Sequence, residues 1–421
     1  MGTGSLFRLG ALCAVLCLYL TACGSDDDEP ETGDEGGADA GADPIDSGDG
    51  DGEGDDGPGD GNQAIPTNVE ERNANIFNED GTSKHFGGCD LDTGYVGDDK
   101  CLRAPDPHVG FQIHVGPDGY SDEEVADWLM QPGSESSECY FFETENDEEF
   151  FYQVWELSGR DGTHHIINSQ LINGQAEGWG GCMDQGLGTS PNVAGILPGA
   201  SRAYMKPAPV APENANLGAT LGAKVPVQAD MHYFNFMPPC DDKSCLVLRE
   251  FWLNVYFVPE SEVEERSSGI RGMGGLDWLL FPIQPGTHET YRYECPVESD
   301  GRIIRLIGHT HKHGVRETAW IRRPGDETDE DMLKVFEQFD YLEPQIFEYD
   351  SLTENPDFAP GMAGAFSGML EVKAGDTLVW ECEINNTSDV ALRYTNEVET
   401  GEMCNIWGQV VGPTMDCVVF F

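Results

Sequence analysis

The apolar residues of this chain lie in short runs rich in Val, Ile, Phe, Tyr and Trp, and turns rich in Gly, Pro and Asp separate the runs. Such runs are typical of β-strands. The predicted strands are EEFFYQVWELS, THHIINSQLI, VPVQADMHYFNF, LREFWLNVYFVP, RIIRLIGHTH, ETAWIRR, DTLVWECEIN and CVVFF. Two other segments, SDEEVADWLM and DETDEDMLKVFEQF, have the pattern of helices. We therefore predict an all-β fold of two antiparallel, jelly-roll-like β-sandwiches.

The length of the chain supports two folded domains. Residues 66–421 are too many for one hydrophobic core to organise. The polar, Gly-rich stretch ESEVEERSSGIRGMGG is the best candidate for the boundary. The predicted domains are 66–262 and 263–421, and no internal repeat joins them.

The N-terminus has the pattern of an export signal. Arg8 precedes an apolar run that is too short for a comfortable membrane span and ends in LTAC, so residues 1–23 are predicted to be a secretory signal peptide. The small residues before Cys23 resemble a bacterial lipobox, in which the cysteine is lipidated. The alternative is an ordinary signal peptide in which Cys23 has no role. We expect an exported protein, anchored by lipid to the bacterial cell envelope (periplasm or outer membrane surface) without spanning the membrane.

Acidic residues dominate the segment that follows. Between Gly24 and Asp60 there are 16 acidic residues and no basic ones, and very little is apolar. Residues 24–65 are therefore predicted to be a disordered linker. The whole chain has a formal net charge of −54. A nucleic acid is an implausible partner for so acidic a protein.

Cysteine usage agrees with export. Three of the 13 cysteines lie in the predicted signal peptide, and the remaining even number suggests up to five disulfides. These are Cys89, Cys101, Cys139, Cys182, Cys240, Cys245, Cys295, Cys382, Cys404 and Cys417. No C-x-x-C occurs, which argues against a zinc ribbon or a thioredoxin-like site.

Two histidine pairs have spacings that suit a metal. In LIGHTHKH, His309 and His311 are two residues apart on a predicted strand and would face the same side. A polar strand face is the alternative. In DGTHHIINSQ, His164 and His165 can reach one ion only if the strand ends or bulges, which Gly162 would allow. Otherwise one ring belongs to the core and the other to the surface.

Two further segments complete a pattern. His232 in QADMHYFNF would by itself be read as a core residue, and Met403 in GEMCNIW as core filler. In chain order, however, HH, MHY, HTH and EMCN resemble the ascorbate-dependent type II copper monooxygenases, the family of peptidylglycine α-hydroxylating monooxygenase and dopamine β-monooxygenase. The closing segment KAGDTLVWECEINNTSDVALRYTNEVETGEMCNIW is especially similar. The resemblance covers about 85 to 421.

The resemblance implies an enzyme with two coppers per chain. The electron-transfer copper would be bound by His164, His165 and His232. The second copper, where O₂ is used to hydroxylate a small substrate, would be bound by His309, His311 and Met403. Ascorbate or another one-electron reductant would supply the electrons. A thioether ligand suits Cu(I) and binds zinc poorly, which agrees with this assignment.

The resemblance also implies three disulfides, Cys139–Cys182, Cys295–Cys417 and Cys382–Cys404. It assigns no pairing to Cys89, Cys101, Cys240 and Cys245.

The substrate contacts of the peptide-hydroxylating branch are only partly present. That branch has an arginine two residues before H-T-H, where this chain has Ile307, and a tyrosine where this chain has Trp407. Its asparagine is present as Asn405, so Asn405 and Trp407 are the candidate substrate-binding residues. Arg305, on the same strand face as Ile307, would reach the metal only in a shifted register. We therefore expect glycine-extended peptides to be poor substrates and a neutral or cationic molecule to be preferred.

The remaining histidines have no counterpart among the family ligands. His313 is expected to be solvent-exposed, with a third nitrogen ligand as the alternative, and His85, His108, His114 and His288 are expected to be structural. Two other functions compete with the monooxygenase. One is an exported protein that binds or stores copper without catalysis. The other is a zinc hydrolase built on HTHKH, which lacks a nearby carboxylate placed as a base.

Overall fold

The structure, a computed structural model, describes residues 64–171, 176–182, 189–190, 196–198, 204–205, 210, 214–341, 346–348 and 369–418. The predicted signal peptide, Cys23 and nearly all of the predicted acidic linker lie outside these residues. No helix of the described residues is long and apolar enough to cross a membrane.

β-Strands make up most of the described chain, so the predicted all-β fold is confirmed. The strands are β1 (Gly110–Val115), β2 (Leu129–Met130), β3 (Glu135–Glu143), β4 (Phe150–Gly159), β5 (Thr163–Leu171), β6 (Gly178–Gly180), β7 (Thr189–Ser190), β8 (Ile196–Pro198), β9 (Tyr204–Met205), β10 (Leu217–Leu221), β11 (Pro226–Phe234), β12 (Val247–Leu248), β13 (Phe251–Phe257), β14 (Glu265–Gly274), β15 (His288–Pro296), β16 (Gly301–Thr310), β17 (Gly314–Arg322), β18 (Leu333–Gln338), β19 (Ile346–Glu348), β20 (Leu370–Val372), β21 (Thr377–Asn385), β22 (Cys404–Val411) and β23 (Met415–Val418).

The helices are few and short. The described α-helix, α1 (Val69–Ile76), begins where the Asn68 side chain accepts a hydrogen bond from the backbone N–H of Glu71. Two glutamates in its first turn stabilise the helix by interacting with the positive end of its dipole. Short 3₁₀-helices span Asp98–Lys100, Lys243–Cys245, Glu260–Glu262 and Leu276–Leu279.

Both helices predicted from the sequence are wrong. SDEEVADWLM forms a series of turns that ends in β2. DETDEDMLKVFEQF ends in β18, which pairs with β17 and buries Val335 and Phe336. In both segments acidic residues precede apolar ones, as at the start of a helix. Pairing with a neighbouring strand and burial override that local preference.

The strands form two sandwiches that share one large sheet. Among the described residues this sheet has 11 strands, and its main path runs β1-β13-β4-β10-β14-β22-β16-β19. The first part of it packs on a 6-stranded sheet that contains β3, β5 and β11. The second part packs on a 4-stranded sheet, β15-β21-β17-β18. Each half of the chain therefore has its own hydrophobic core.

The large sheet continues through the predicted boundary between the domains. The stretch expected to separate them contains β14, which pairs in parallel with β10 through Leu217 opposite Glu265 and Gly218 opposite Arg266. Ile307 and Trp407, from the second half, pack in the core of the first half. The described residues belong to one compact unit. The boundary between 262 and 263 stays a prediction.

Five disulfides link the ten cysteines considered above. Three are the pairs that the resemblance implied, Cys139–Cys182, Cys295–Cys417 and Cys382–Cys404. The others are Cys89–Cys101 and Cys240–Cys245. Disulfides in this number are typical of proteins that fold outside the reducing cytoplasm.

Candidate metal centre

A β-bulge lets the side chains of both His164 and His165 lie next to that of His232. His232 on β11 pairs with His165 on β5, but the next residue, Tyr233, pairs with Thr163. His164 is therefore the extra residue of the bulge, which is one of the two arrangements that would let both adjacent histidines reach one ion. The ring centroids lie 5.3 Å apart for His164 and His165, 4.9 Å for His164 and His232, and 5.1 Å for His165 and His232.

Gly162 makes this bulge possible. Its φ is +94°, in the left-handed region that favours glycine. A Cβ at this position would lie 2.4 Å from the carbonyl oxygen of Phe234. That close approach includes a hydrogen bond of 2.7 Å from the Phe234 N–H to the Gly162 carbonyl.

The second group of candidate ligands lies where β16 ends and β22 begins. His309 belongs to β16 and His311 follows its last residue, with 5.1 Å between their ring centroids. Met403 directly precedes β22, whose Asn405 pairs with His309. Met403 and His309 line the same cavity. Strand pairing thus brings together residues that are about a hundred positions apart in the chain.

The two groups of histidines meet each other. The His309 ring centroid lies 5.1 Å from that of His165 and 6.0 Å from that of His164. The five rings of His164, His165, His232, His309 and His311 therefore form one cluster, which we call the histidine cluster. Each of these residues is at most 3% exposed.

Burial favours the neutral form of four rings in the described histidine cluster, and several of its nitrogens have no partner. Burial, and then the neighbouring imidazoles, lower the pKa of His164, His165, His309 and His311 well below its usual value. Within the described residues, several of its nitrogens have no hydrogen-bond partner. They are both nitrogens of His164, Nδ1 of His165 and His232, and Nε2 of His309. Buried polar atoms without partners are costly, and neutral imidazoles are good copper ligands, so these residues fit a metal.

In this structure the five rings do not surround a single point at metal-binding distance. No three of the described histidines offer one ring nitrogen each that all lie within 4.8 Å of one another. The group that meets this distance is Cys139, Cys182 and Asp230, whose cysteines are joined in a disulfide and are not ligands. Metal–nitrogen bonds are about 2.0–2.1 Å long, so binding requires ring rotation within the cluster.

Glu402 holds the second group together, and sequence reasoning gave it no role. Its Oε1 accepts the backbone N–H of His311 at 2.5 Å and that of Met403 at 2.9 Å, while Oε2 accepts the N–H of His313 at 3.0 Å. Burial raises its pKa to about 8, although these N–H groups act in the opposite direction. The signal was present in E-M-C-N, where Glu402 directly precedes Met403.

His313 is buried, at 5% exposure, so the expectation that it faces solvent is wrong. Its carbonyl accepts the N–H of Asn385 at 2.8 Å, and its own N–H binds Glu402. The chain turns here to start β17, and the turn lies beside Asn385, the last residue of β21. No ring contact joins His313 to the described histidine cluster.

Three of the four histidines expected to be structural have protein partners. His85 Nδ1 lies 3.1 Å from the carbonyl oxygen of Arg103. His114 Nε2 lies 2.8 Å from Glu250 Oε1, and His288 Nε2 lies 2.7 Å from Glu383 Oε1. These contacts lie apart from the histidine cluster.

A cavity of about 410 Å³ opens beside the histidine cluster and is lined by both halves of the chain. The candidate substrate residues Asn405 and Trp407 line it, with His165, His309 and Met403. The Asn405 amide Nδ2 donates to Met403 Sδ at 3.5 Å and lies 3.1 Å from the hydroxyl of Tyr394, another lining residue that the sequence did not indicate.

The charged residues in the described lining of this cavity are acidic. Asp230 and Glu397 contribute to it, and no lysine or arginine does. Ile307 is buried in the core of the first half. The Arg305 guanidinium lies over the ring of Trp155, 5.0 Å from its centroid, and Arg305 does not line the cavity. No basic group of the described residues is therefore placed to bind a substrate carboxylate here.

Comparison with known proteins adds no family assignment. No protein-family model and no curated protein matches this chain. Among solved structures, one of Broad Bean Stain Virus is similar at 10% identity and a TM-score of 0.26, covering 79% of this chain and 96% of that one. One of infectious bursal disease virus, Gt strain, has 10% identity and a TM-score of 0.15, with 73% and 72% covered. TM-scores this low carry no argument about fold or function.

Proposed function

We propose that the protein is a copper-dependent monooxygenase that hydroxylates a C–H bond of a small substrate with O₂ and an external one-electron reductant such as ascorbate. One observation carries the proposal: five buried, adjacent histidines have nitrogens without protein partners, beside a cavity that Met403 also lines. Buried ring nitrogens usually have hydrogen-bond partners, so the concentration of nitrogens without partners in adjacent rings of the described structure favours a metal site over core filling.

The residues divide into two ligand sets. In this proposal His164, His165 and His232 hold one copper. His309, His311 and Met403 hold the other copper, and the Met403 thioether favours Cu(I). Copper supplies the one-electron redox chemistry and the activation of O₂. The chain's part is to bury the imidazoles, which lowers the pKa of His164, His165, His309 and His311, and to place the cavity against His309 and Met403 so that the substrate C–H bond is held there.

The substrate in this proposal is neutral or cationic. A cation would be attracted by Asp230 and Glu397, whereas a carboxylate would meet these charges and no basic partner in the described lining. Asn405 would orient a polar group of the substrate, and the face of Trp407 would pack against its apolar part.

The proposed location is the bacterial cell envelope, with lipid attached to Cys23. The pattern before Cys23 and the disulfide-rich fold support it. Metabolic labelling with a fatty acid analogue should mark the wild-type chain and not Cys23→Ala. Equal labelling of both would contradict the anchor.

Metal analysis with electron paramagnetic resonance tests the proposal. Protein loaded with copper should hold two coppers per chain. The signals should be of type II, because all ten cysteines considered above are in disulfides and no thiolate is free to be a ligand. A single bound zinc after copper loading would contradict the proposal and favour a hydrolase.

Oxygen uptake separates the enzyme from a copper-storage protein. With ascorbate, the enzyme should consume O₂ in proportion to the hydroxylated product when an amine with a benzylic C–H bond is added. Copper binding without substrate-dependent uptake across neutral and cationic substrates would favour storage. Saturable hydroxylation of a glycine-extended peptide, lost when its carboxylate is amidated, would overturn the substrate class.

A further inference from the structure

We infer that Glu135 is a positioning residue for the first copper: its carboxylate accepts the Nε2–H of His232 and thereby reserves Nδ1 of that ring for the metal. The inference rests on the proposed function, since it concerns how the chain prepares a ligand. Sequence reasoning assigned Glu135 no role, and it lies 97 residues from His232.

Strand pairing places Glu135 on the same face as His232. On the β3 and β11 pair, Ser137 lies opposite His232 and Glu135 lies opposite Phe234. Glu135 is thus the diagonal neighbour of His232, a distance that a long side chain spans. Its Oε1 lies 2.8 Å from His232 Nε2. The His232 side chain is completely buried and that of Glu135 is 33% exposed, so Glu135 closes the cluster toward solvent.

This contact selects one tautomer. A neutral imidazole has one N–H and one lone pair, and a carboxylate can only accept a hydrogen bond. In the neutral form that a metal ligand requires, the hydrogen of His232 therefore sits on Nε2 and the lone pair on Nδ1, the nitrogen without a partner in the described structure. His164, in the same ligand set, differs, because neither of its nitrogens has such a partner. Of the first ligand set, His232 is the ring prepared in advance by a carboxylate.

The consequence is tighter copper binding. A carboxylate that accepts the second N–H of a metal-bound histidine fixes the ring and makes it a stronger donor, and its loss costs roughly 10- to 100-fold in metal affinity. We expect Glu135→Ala to weaken copper binding at the first site by about that factor. Glu135→Gln keeps an oxygen that can accept the same hydrogen bond, so its loss should be smaller, on the order of a few-fold.

The test is a copper titration against a competing chelator, with the first-site signal followed by electron paramagnetic resonance. Glu143→Ala is the matched control, since it removes an exposed carboxylate from the other end of the same strand. Glu135→Ala should lose affinity while Glu143→Ala should not. In a His232→Ala background the effect of Glu135→Ala should vanish. Equal affinities for the two alanine variants, or a loss that persists without His232, would overturn the inference.

A second measurement does not depend on copper. Nitrogen-15 NMR of the metal-free protein should show His232 protonated at Nε2 in the wild type and in Glu135→Gln, and a mixture of tautomers in Glu135→Ala. Protonation at Nδ1 in the wild type would refute the inference even if copper binds. A wild type that has the Nε2–H tautomer but binds no copper would refute the proposed function instead.

Discussion

The two ligand sets are held in different ways. His165 and His232 lie within paired strands, and His164 is fixed by a bulge between them, so backbone hydrogen bonds position the first set. His311 and Met403 lie just outside β16 and β22, where a buried carboxylate and a disulfide at the neighbouring Cys404 hold the second set.

This difference predicts how each set responds to change. Copper binding by the first set should be lost only when the strand geometry is disturbed. The fold should then lose stability as well. The second set depends on side-chain contacts at strand ends, so its chemistry should be separable from folding. The following variants test that contrast.

The largest effect is expected from Met403→Ala. It should lower product formation by more than ~100-fold, because a ligand should matter more than the outer contacts whose loss costs up to that factor. The first set should still bind copper and cycle between oxidation states. Product analysis and electron paramagnetic resonance on the same sample check both statements. Full hydroxylation by this variant would remove Met403 from the mechanism.

Removing the disulfide next to Met403 should have the second largest effect. Cys382→Ser with Cys404→Ser should lower the free energy of unfolding by about 3 kcal/mol and also impair hydroxylation. Removing Cys89 and Cys101 in the same way should lower stability without impairing hydroxylation at temperatures where the protein is folded. Denaturant unfolding and initial rates provide the comparison. Equal losses of rate in the two double variants would contradict the special dependence of the second set.

The bulge is tested by Gly162→Ala, with Gly133→Ala as the control. Both glycines have positive φ, but a Cβ at Gly133 meets nothing within 4 Å, whereas one at Gly162 would press on the Phe234 carbonyl. Gly162→Ala should therefore cost about 2 kcal/mol more in unfolding free energy and weaken copper binding by the first set. Similar stabilities for the two variants would show that the close approach is relieved without cost.

The smallest effect on metal content is expected from His313→Ala. The ring is buried, so its loss should reduce stability by about 1 kcal/mol. It has no ring contact with the described histidine cluster, so copper content should remain two per chain. Metal analysis of the variant measures the copper content per chain. A fall to one copper would make His313 a ligand of the second set.

The sequence predicted those parts of the site that depend on local spacing. The common side of His309 and His311 at alternate positions follows from strand geometry. The sequence indicated a bulge after Gly162 as one of the arrangements that would bring His164 and His165 together. Glu135 could not be found this way, because it acts on a residue 97 positions away through strand pairing. Glu402 stands next to Met403 in E-M-C-N, but its contacts with His311 and His313 likewise join residues about ninety positions apart. His313 was misplaced for a related reason, since its burial depends on the distant strand β21. The two wrong helices have local helical patterns that tertiary pairing overrides.

The parallel contact between β10 and β14 has a mechanical consequence. In the described structure this contact consists of two residue pairs, Leu217 with Glu265 and Gly218 with Arg266. Beside them, the backbone N–H groups of Glu264 and Glu265 both donate to the carbonyl of Asn216. Moving one half of the chain against the other, so that the His165 ring separates from that of His309, would load these few hydrogen bonds together with the packing of Ile307 and Trp407 in the core of the first half. Such a motion would be visible as faster amide hydrogen exchange at Glu264 and Glu265 than in the long ladders on either side.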